Sequence, residues 1–202
     1  MMFGILDYGL GNIRSVSNML NYLNIDHIFV SKKEDFTKIN KLILPGIGSF
    51  DVAMQYLTSK GFVESIRKFV QNPTNYLFGI CLGMQLLGNR SEEGQIPGLK
   101  LIDFDVKSLK NFTTKNVPHM GWSEIYKNQI NYRNDLFDKY YFVHSFFVPL
   151  STSESNYKTI MICDYDFRFS AAVKKDNIYG FQFHPEKSHQ YGMNLFKFMD
   201  GL

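Results

Sequence analysis

The sequence predicts an α/β protein with a mostly parallel central sheet, flanked by helices, and a β-rich second half. Over the first ninety residues or so, short apolar runs alternate with helical patterns, which is typical of a parallel sheet covered on both faces. After that point, apolar runs are linked by polar turns, and helical periodicity is rare. No change of composition marks a linker, so we expect one domain over residues 1–202.

The first half is predicted to contain four strands, at residues 3–7, 27–30, 41–44 and 76–80. Between them, apolar residues recur at helical spacing, which indicates helices packed on the sheet by one face. The first pattern comprises Ile13, Val16, Met19, Leu20 and Leu23. The second comprises Ala53, Leu57, Phe62, Ile66 and Phe69 and is broken at Asn72-Pro73.

The second half is predicted to be mainly strands. They are expected at residues 99–109, 120–126, 140–148, 159–163, 169–173 and 178–183. Residues 111–116 are predicted to form a polar loop. A short helix over residues 194–199 would end the chain, with Leu195, Phe196, Phe198 and Met199 facing inward.

The composition excludes several classes of function. A net charge of +3 without a dense basic run gives no sign of nucleic-acid binding, and no apolar stretch is long enough for a membrane span. The N-terminus lacks the features of a signal peptide, so we expect a cytoplasmic protein. A structural disulfide between Cys81 and Cys163 is therefore not expected, and the apolar run before Cys163 places that thiol in the core. No spacing of Cys and His suits zinc, and no cofactor is predicted.

Cys81 lies between an apolar strand and the start of a helix, flanked by Gly79 and Gly83. A strand-turn-helix elbow lifts a nucleophile out of a sheet, and glycines at these positions permit strained angles and close backbone approach. The positive end of a helix favours the thiolate form of a cysteine. The alternative is a buried, inert cysteine at the end of a strand.

Two other turns follow parallel strands and therefore lie at the same edge of the predicted sheet as Cys81. Residues 8–12 contain Gly9 and Gly11, which fit a tight turn better than a nucleotide site, because the full dinucleotide fingerprint is missing. Residues 45–50 contain Gly46 and Gly48, which could free backbone N–H groups to form an oxyanion hole. An ordinary turn is the alternative there.

His184 ends the last predicted strand, with Glu186 two residues further on. A cysteine nucleophile needs a base of near-neutral pKa, and the imidazole needs an acceptor that fixes its tautomer. Glu186 can fill that role as well as an aspartate can. Taken alone, a histidine beside a proline at a strand end is more often structural.

The order of these features resembles the class I (triad-type) glutamine amidotransferase family, whose fold is flavodoxin-like. Within it, the sequence is most similar to the branch of glutaminase subunits that serve imidazole glycerol phosphate synthase. The resemblance is carried by residues 7–16, 44–50, 79–85, 91–94, 117–122, 141–145 and 181–188.

The resemblance implies a role for each matching residue. It makes Cys81 the nucleophile, His184 the base and Glu186 its orienting partner, with glutamine as the substrate. It places the oxyanion hole and the glutamine site at Gly46, Ile47, Gly48, Leu82, Gln85, His144, Ser145 and Phe146. It further implies a heterodimer with a (β/α)₈-barrel cyclase/synthase subunit that receives the ammonia, and a free subunit that turns over slowly. The partner-facing residues would be Asn12, Trp122, Tyr141 and Lys187, with core packing as the alternative for the two aromatic ones.

Three positions depart from the family pattern. Ser123 stands where the family usually has Asn, Phe146 where Tyr is common, and residues 99–104 lack a frequent glycine. A paralogous glutaminase that feeds a sugar amidotransferase for surface polysaccharides is therefore a second hypothesis. A degenerate, purely regulatory subunit is a third, and the intact Cys81, His184 and Glu186 argue against it.

Overall fold

The computed structural model describes residues 2–127 and 139–202, and its first half alternates strands with helices. The strands are β1 (Phe3–Leu6), β2 (His27–Val30), β3 (Lys41–Leu44) and β4 (Tyr76–Ile80). The helices are α1 (Ile13–Tyr22), α2 (Phe50–Ser59), α3 (Phe62–Val70) and α4 (Leu82–Leu86), with a 3-10 helix at Lys33–Lys38. The four strands agree with the prediction, except that β1 ends one residue earlier.

The second half is largely β. Its strands are β5 (Arg90–Ser91), β6 (Asp105–Ser108), β7 (His119–Lys127), β8 (Lys139–His144), β9 (Phe146–Phe147), β10 (Lys158–Asp164), β11 (Arg168–Lys175) and β12 (Ile178–Phe181). Short 3-10 helices lie at Leu109–Asn111 and Pro185–Lys187, and helix α5 (His189–Asp200) follows the second of them.

Within the described residues, the main sheet has nine strands in the order β2-β1-β3-β4-β12-β11-β10-β7-β8. The part from β2 to β12 is parallel, and the part from β12 to β8 is antiparallel. A small sheet, β5-β6-β9, lies beside it. The predicted α/β class with a β-rich second half is confirmed, and β12 joins the two halves by pairing with β4.

Two hydrophobic cores cover the two faces of the sheet. Alternation along β3 sends Leu42 and Leu44 into one core, with apolar residues of α2 and α3, and Ile43 into the other, with residues of α1 and α5. Strands that are buried on both faces read as continuous apolar runs, which explains why the parallel strands were predictable. Over residues 2–127 and 139–202, the helices are all too short or too polar to cross a membrane.

The predicted helical pattern over residues 53–69 was wrong in one respect, because it is divided into α2 and α3. Gly61 adopts a left-handed φ of 66° between them. The five-residue step from Leu57 to Phe62 already breaks the helical period, and glycine takes the left-handed conformation without steric cost.

The predicted strand at residues 99–109 was also wrong, since only β6 is a strand there. The backbone N–H groups of Leu99 and Leu101 instead donate to the carbonyls of Leu86 and Leu87, at 2.8 and 2.9 Å. Carbonyls at the end of a helix need such donors, so this segment caps α4 rather than joining a sheet.

Two further boundaries differ from the prediction. Helix α5 begins at His189, five residues before the predicted start, because the polar first turn carries no apolar period. The predicted strand at residues 140–148 changes sheets at Ser145: β8 pairs with β7 in the main sheet, whereas β9 pairs with β6 in the small one.

Candidate active site

Cys81 occupies a strained turn between β4 and α4. Its φ of 53° and ψ of −112° lie outside the regions that residues with a side chain readily adopt. Strain of this kind is kept where the surrounding fold holds a functional group in place. The predicted elbow is therefore present. Helix α4, which follows it, has only five residues.

Direct packing of backbone on backbone holds the elbow against β3. A Cβ atom at Gly83 would lie 1.9 Å from the Leu44 carbonyl oxygen, and one at Gly46 would lie 2.5 Å from the Gly83 nitrogen. Neither position can accept a side chain without displacing the backbone. Gly46 thus packs directly against the elbow, and its place in the oxyanion hole stays a prediction.

Strand β12 brings His184 to Cys81. It pairs in parallel with β4, with Ile80 opposite Phe181, and the N–H of Cys81 donates to the Phe181 carbonyl at 2.7 Å. Both strands therefore end at the same edge of the sheet. Gln182 and His184 follow β12 directly, at the level of Cys81.

The imidazole of His184 lies between Cys81 and Glu186. Its Nδ1 is 2.8 Å from Glu186 Oε1, and both side chains are 2% exposed. Burial lowers the pKa of His184, but interactions with Cys81 and with Glu186 outweigh this effect and raise the pKa to about 10. Its Nε2 has no hydrogen-bond partner among the described residues. This nitrogen is free to exchange a proton at the cavity.

A cavity of about 470 Å³ opens in front of Cys81. Its lining includes most of the predicted substrate and oxyanion residues, namely Ile47, Gly48, Leu82, Gln85, His144, Ser145 and Phe146, together with Cys81, His184 and Lys187. The size suits a small amino acid with room to spare. The predicted oxyanion segment at its edge is held by a hydrogen bond, because the buried Tyr8 hydroxyl donates to the Pro45 carbonyl at 2.8 Å.

His144 lines the cavity, but its ring nitrogens are engaged inside the fold. Both of its ring nitrogens are used inside the fold, Nδ1 with the Phe146 carbonyl at 2.7 Å and Nε2 with His119 Nδ1 at 3.0 Å. Burial and the neighbouring His119 lower the pKa of His144 to about 3, so the ring is neutral. The imidazole therefore positions the backbone of Phe146 rather than reaching the cavity as a free donor.

Sequence reasoning gave no role to three residues of the site: Glu93, Gln182 and His119. Glu93 lines the cavity and accepts the Phe50 N–H on Oε2 at 3.1 Å. Burial raises the pKa of this carboxyl group, and the Phe50 N–H opposes that effect. Gln182 and His119 are buried close to Cys81 and His144, respectively. All three lie within blocks that carried the family resemblance, but only their contacts show what they face.

Three of the four predicted partner-facing residues form one surface cluster. Trp122 packs edge-on against Tyr141 with ring centroids 6.2 Å apart, and the Lys187 ammonium lies 5.8 Å from the centre of the Tyr141 ring. Trp122 is 46% exposed, which contradicts the core-packing alternative for this residue. Asn12, the fourth, lies at the start of α1, and that helix contacts the 3-10 helix that carries Lys187.

A thiol on a strained strand-to-helix turn, with a histidine–carboxylate pair at the end of the next strand, is the arrangement of an enzyme with a cysteine nucleophile. The sequence profile of the family described as glutamine amidotransferase class-I matches residues 4–200. The chain belongs to this family of glutamine amidotransferases.

Curated relatives are similar over nearly the whole chain. "Imidazole glycerol phosphate synthase subunit HisH 2" of Pseudomonas aeruginosa is 42% identical over 200 residues, which cover 97% of each protein. The protein of the same name from Methanococcus maripaludis is 42% identical over 96% of each. "Imidazole glycerol phosphate synthase subunit HisH" of Bdellovibrio bacteriovorus is 38% identical over 97% of this chain and 98% of its own.

Solved structures agree with the fold. A crystal structure described as a glutamine amidotransferase superposes with a TM-score of 0.76 at 20% identity, covering 98% of this chain and 96% of that one. The structure of PurLQS from Thermotoga maritima gives a TM-score of 0.73 at 16% identity, with coverage of 99% and 97%. At these identities, the structural similarity establishes the architecture and nothing finer.

Proposed function

We propose that this protein is the glutaminase subunit of an imidazole glycerol phosphate synthase. It would hydrolyse L-glutamine to glutamate and ammonia and deliver the ammonia to a (β/α)₈-barrel subunit that makes imidazole glycerol phosphate and AICAR in histidine biosynthesis. The observation that carries the proposal is the pairing of β4 with β12, which sets Cys81 beside the buried His184–Glu186 pair. The names of the relatives support the choice of pathway.

In the first half of the reaction, the Cys81 thiolate attacks the side-chain carboxamide carbon of glutamine. The new C–S bond gives a tetrahedral oxyanion, which collapses as the C–N bond breaks. His184, protonated because its pKa is raised to about 10, gives its Nε2 proton to the departing nitrogen. Ammonia leaves, and a glutamyl thioester remains on Cys81.

In the second half, water attacks the thioester carbonyl carbon while His184 Nε2 takes a proton from it. A second oxyanion collapses with cleavage of the C–S bond, which releases glutamate and restores the Cys81–His184 pair. Backbone N–H groups of Leu82 and of the Ile47–Gly48 segment would hold both oxyanions. Loss of one such donor costs about 3–4 kcal/mol in barrier height.

Polar groups around the cavity supply the contacts for the amino-acid end of glutamine. Glu93 presents a carboxylate that can accept from an α-ammonium group. Ser145 and Phe146 lie where β8 gives way to β9, and both residues line the cavity. We assign glutamine recognition to these residues together with Gln85.

Ammonia released into water is protonated and ceases to be a nucleophile, so an enzyme that uses it must pass it on directly. The cluster of Trp122, Tyr141 and Lys187 combines one exposed and one half-buried aromatic ring with one cation, a composition common at protein interfaces. We propose that this cluster binds the barrel subunit and that turnover is slow until it does. The heterodimer would work in the cytoplasm, where thiols stay reduced.

The experiment that tests the proposal compares Cys81→Ala with Cys163→Ala in the complex with the histidine-pathway barrel subunit. Cys81→Ala should abolish synthesis from glutamine but retain synthesis from added ammonium salt. Cys163→Ala, which changes the other buried cysteine, should retain both. Glutaminase activity in Cys81→Ala would refute the assignment of the nucleophile.

The same complex separates the proposed pathway from the alternatives. Failure to form a heterodimer with the barrel subunit, combined with intact glutaminase activity, would move the acceptor to a sugar amidotransferase. The comparisons do not favour that acceptor. Absence of turnover with any partner would point to a regulatory subunit instead.

A further inference from the structure

A chain of buried amide groups connects the backbone at residue 146 with the nucleophile. Gln85 Nε2 donates to the Phe146 carbonyl and to Gln182 Oε1, both at 3.0 Å. Gln182 Nε2 then lies 3.8 Å from Cys81 Sγ. Gln85 is 4% exposed and Gln182 is fully buried, so water cannot replace either partner. Buried polar groups of this kind are held to one arrangement by the need for every donor to meet an acceptor.

The order of donors and acceptors along this chain has a single solution. A backbone carbonyl can only accept, so Gln85 must turn its NH₂ group toward Phe146. The same NH₂ group meets Gln182, which must therefore present its carbonyl oxygen to Gln85 and its own NH₂ group to Cys81. Rotation of the Gln182 amide by 180° would bring two NH₂ groups together and remove the acceptor between Gln85 and Gln182.

Two histidines fix the first group of this hydrogen-bonded series, which is the Phe146 carbonyl. Because His144 Nδ1 donates to the same Phe146 carbonyl at 2.7 Å, its Nε2 must accept from His119 Nδ1. His119 Nε2 can then accept from the Ser123 hydroxyl, at 2.7 Å. The Phe146 carbonyl therefore has two donors and a defined direction, which gives Gln85 a fixed acceptor.

We propose that Gln182 is a further catalytic residue, whose side-chain N–H stabilises the thiolate of Cys81. The inference rests on the proposed role of Cys81 as the glutaminase nucleophile. An N–H donor binds an anionic sulfur more strongly than a neutral one. The Val143 carbonyl, 3.8 Å from Sγ, can only accept a hydrogen bond from the protonated thiol and therefore opposes ionisation. Gln182 offsets this carbonyl and leaves Nε2 of His184 free for proton transfer.

The test measures the rate of alkylation of Cys81 by iodoacetamide between pH 5 and pH 10. A Cys163→Ala background is used, so that the measured rate comes from the Cys81 thiol alone. Gln182→Met keeps the length of the side chain but removes the donor. We expect the midpoint of its rate profile to move up by about one pH unit or more, with a rate about tenfold lower at pH 6. Gln182→Asn, whose amide is too short to reach Sγ, should shift the midpoint in the same direction. Gln71→Met, at an exposed glutamine beyond α3, should leave the profile unchanged.

The alkylation profile separates an electronic role from a structural one. Loss of packing alone would change the plateau rate at high pH, through access to the thiol, and would leave the midpoint in place; that result would overturn the proposal. If neither Gln182 variant folds, the side-chain amide resonances of Gln182 in the unmodified site decide instead. They should titrate with the alkylation midpoint of Cys81, and amide signals that stay constant across that range would refute the proposal. Neither readout needs turnover, so failure here is distinct from failure of the proposed function.

Discussion

Glu186 Oε1 lies 2.8 Å from His184 Nδ1, and the contact is enclosed by the fold on all but the cavity side. Glu186 follows His184 by two positions in the chain, and Pro185 between them begins the short 3-10 helix that turns the carboxylate back toward the ring. The second carboxylate oxygen, Oε2, has no hydrogen-bond partner among the residues described. Glu186 therefore contacts the imidazole through Oε1 and not through Oε2.

Replacement of Glu186 by Gln should uncouple this pair. The amide keeps the shape but removes the charge that helps to raise the pKa of His184, and it allows the wrong tautomer. We expect kcat for glutamine hydrolysis in the assembled complex to fall by about 10²–10⁴. The alkaline limb of the rate profile should move to lower pH, because the imidazolium loses its proton earlier. Glu64→Gln, which breaks only an exposed ion pair with Arg67, should leave both unchanged.

Replacement of Gly83 by Ala should disturb the elbow itself. The added methyl group would meet the Leu44 carbonyl oxygen at 1.9 Å, so β3 and α4 must separate. We expect a loss of about 1–3 kcal/mol in the free energy of unfolding, measured with denaturant, and a larger loss of activity than of stability. Gly201→Ala is the control, since the nearest atoms to its Cβ lie at 3.6 Å. Equal stability of the two variants would contradict the packing described for the elbow.

Truncation of an aromatic side chain in the surface cluster should weaken binding of the barrel subunit without changing the active site. Trp122→Ala removes a half-exposed ring that packs against Tyr141, and we expect Kd for the barrel subunit to rise by about tenfold or more. Tyr22→Ala, at a tyrosine that is more exposed and lies on α1, should leave Kd unchanged. Calorimetric titration provides the measurement. Unchanged affinity in Trp122→Ala would place the partner elsewhere on the surface.

The buried histidine pair should make the protein lose stability in acid. Burial and the neighbouring Lys115 lower the pKa of His119 to about 4, whereas the unfolded chain binds that proton near pH 6.5. The unfolded state therefore holds more protons between these values, so stability is complete above pH 6.5 and decreases as the pH falls toward 4. The slope of unfolding free energy against pH should be shallower in His119→Gln. The difference should correspond to the uptake of up to about one proton on unfolding. An identical slope would show that His119 is protonated in the folded protein.

The sequence alone determined the parallel half of this protein. Its strands are apolar throughout because both of their faces are buried, and residues 27–30, 41–44 and 76–80 were predicted at their observed bounds. Motif spacing likewise identified Cys81, His184 and Glu186 as candidates, since an elbow and a strand end are local features. Boundaries failed where long-range contacts override local pattern, as at Leu99, Leu101 and Ile102, whose N–H groups donate to carbonyls at the end of α4.

Only the tertiary structure decided which groups face one another. Parallel pairing of β4 with β12 brings Gln182 to Cys81 across a separation of 101 residues in the chain, and no periodicity encodes such a contact. The same is true of His119 and His144, which meet because β7 and β8 are neighbours. Hydrogen bonds select atoms rather than residue types, so the donor that Cys81 meets follows from the folded arrangement of the amides and not from their order in the sequence.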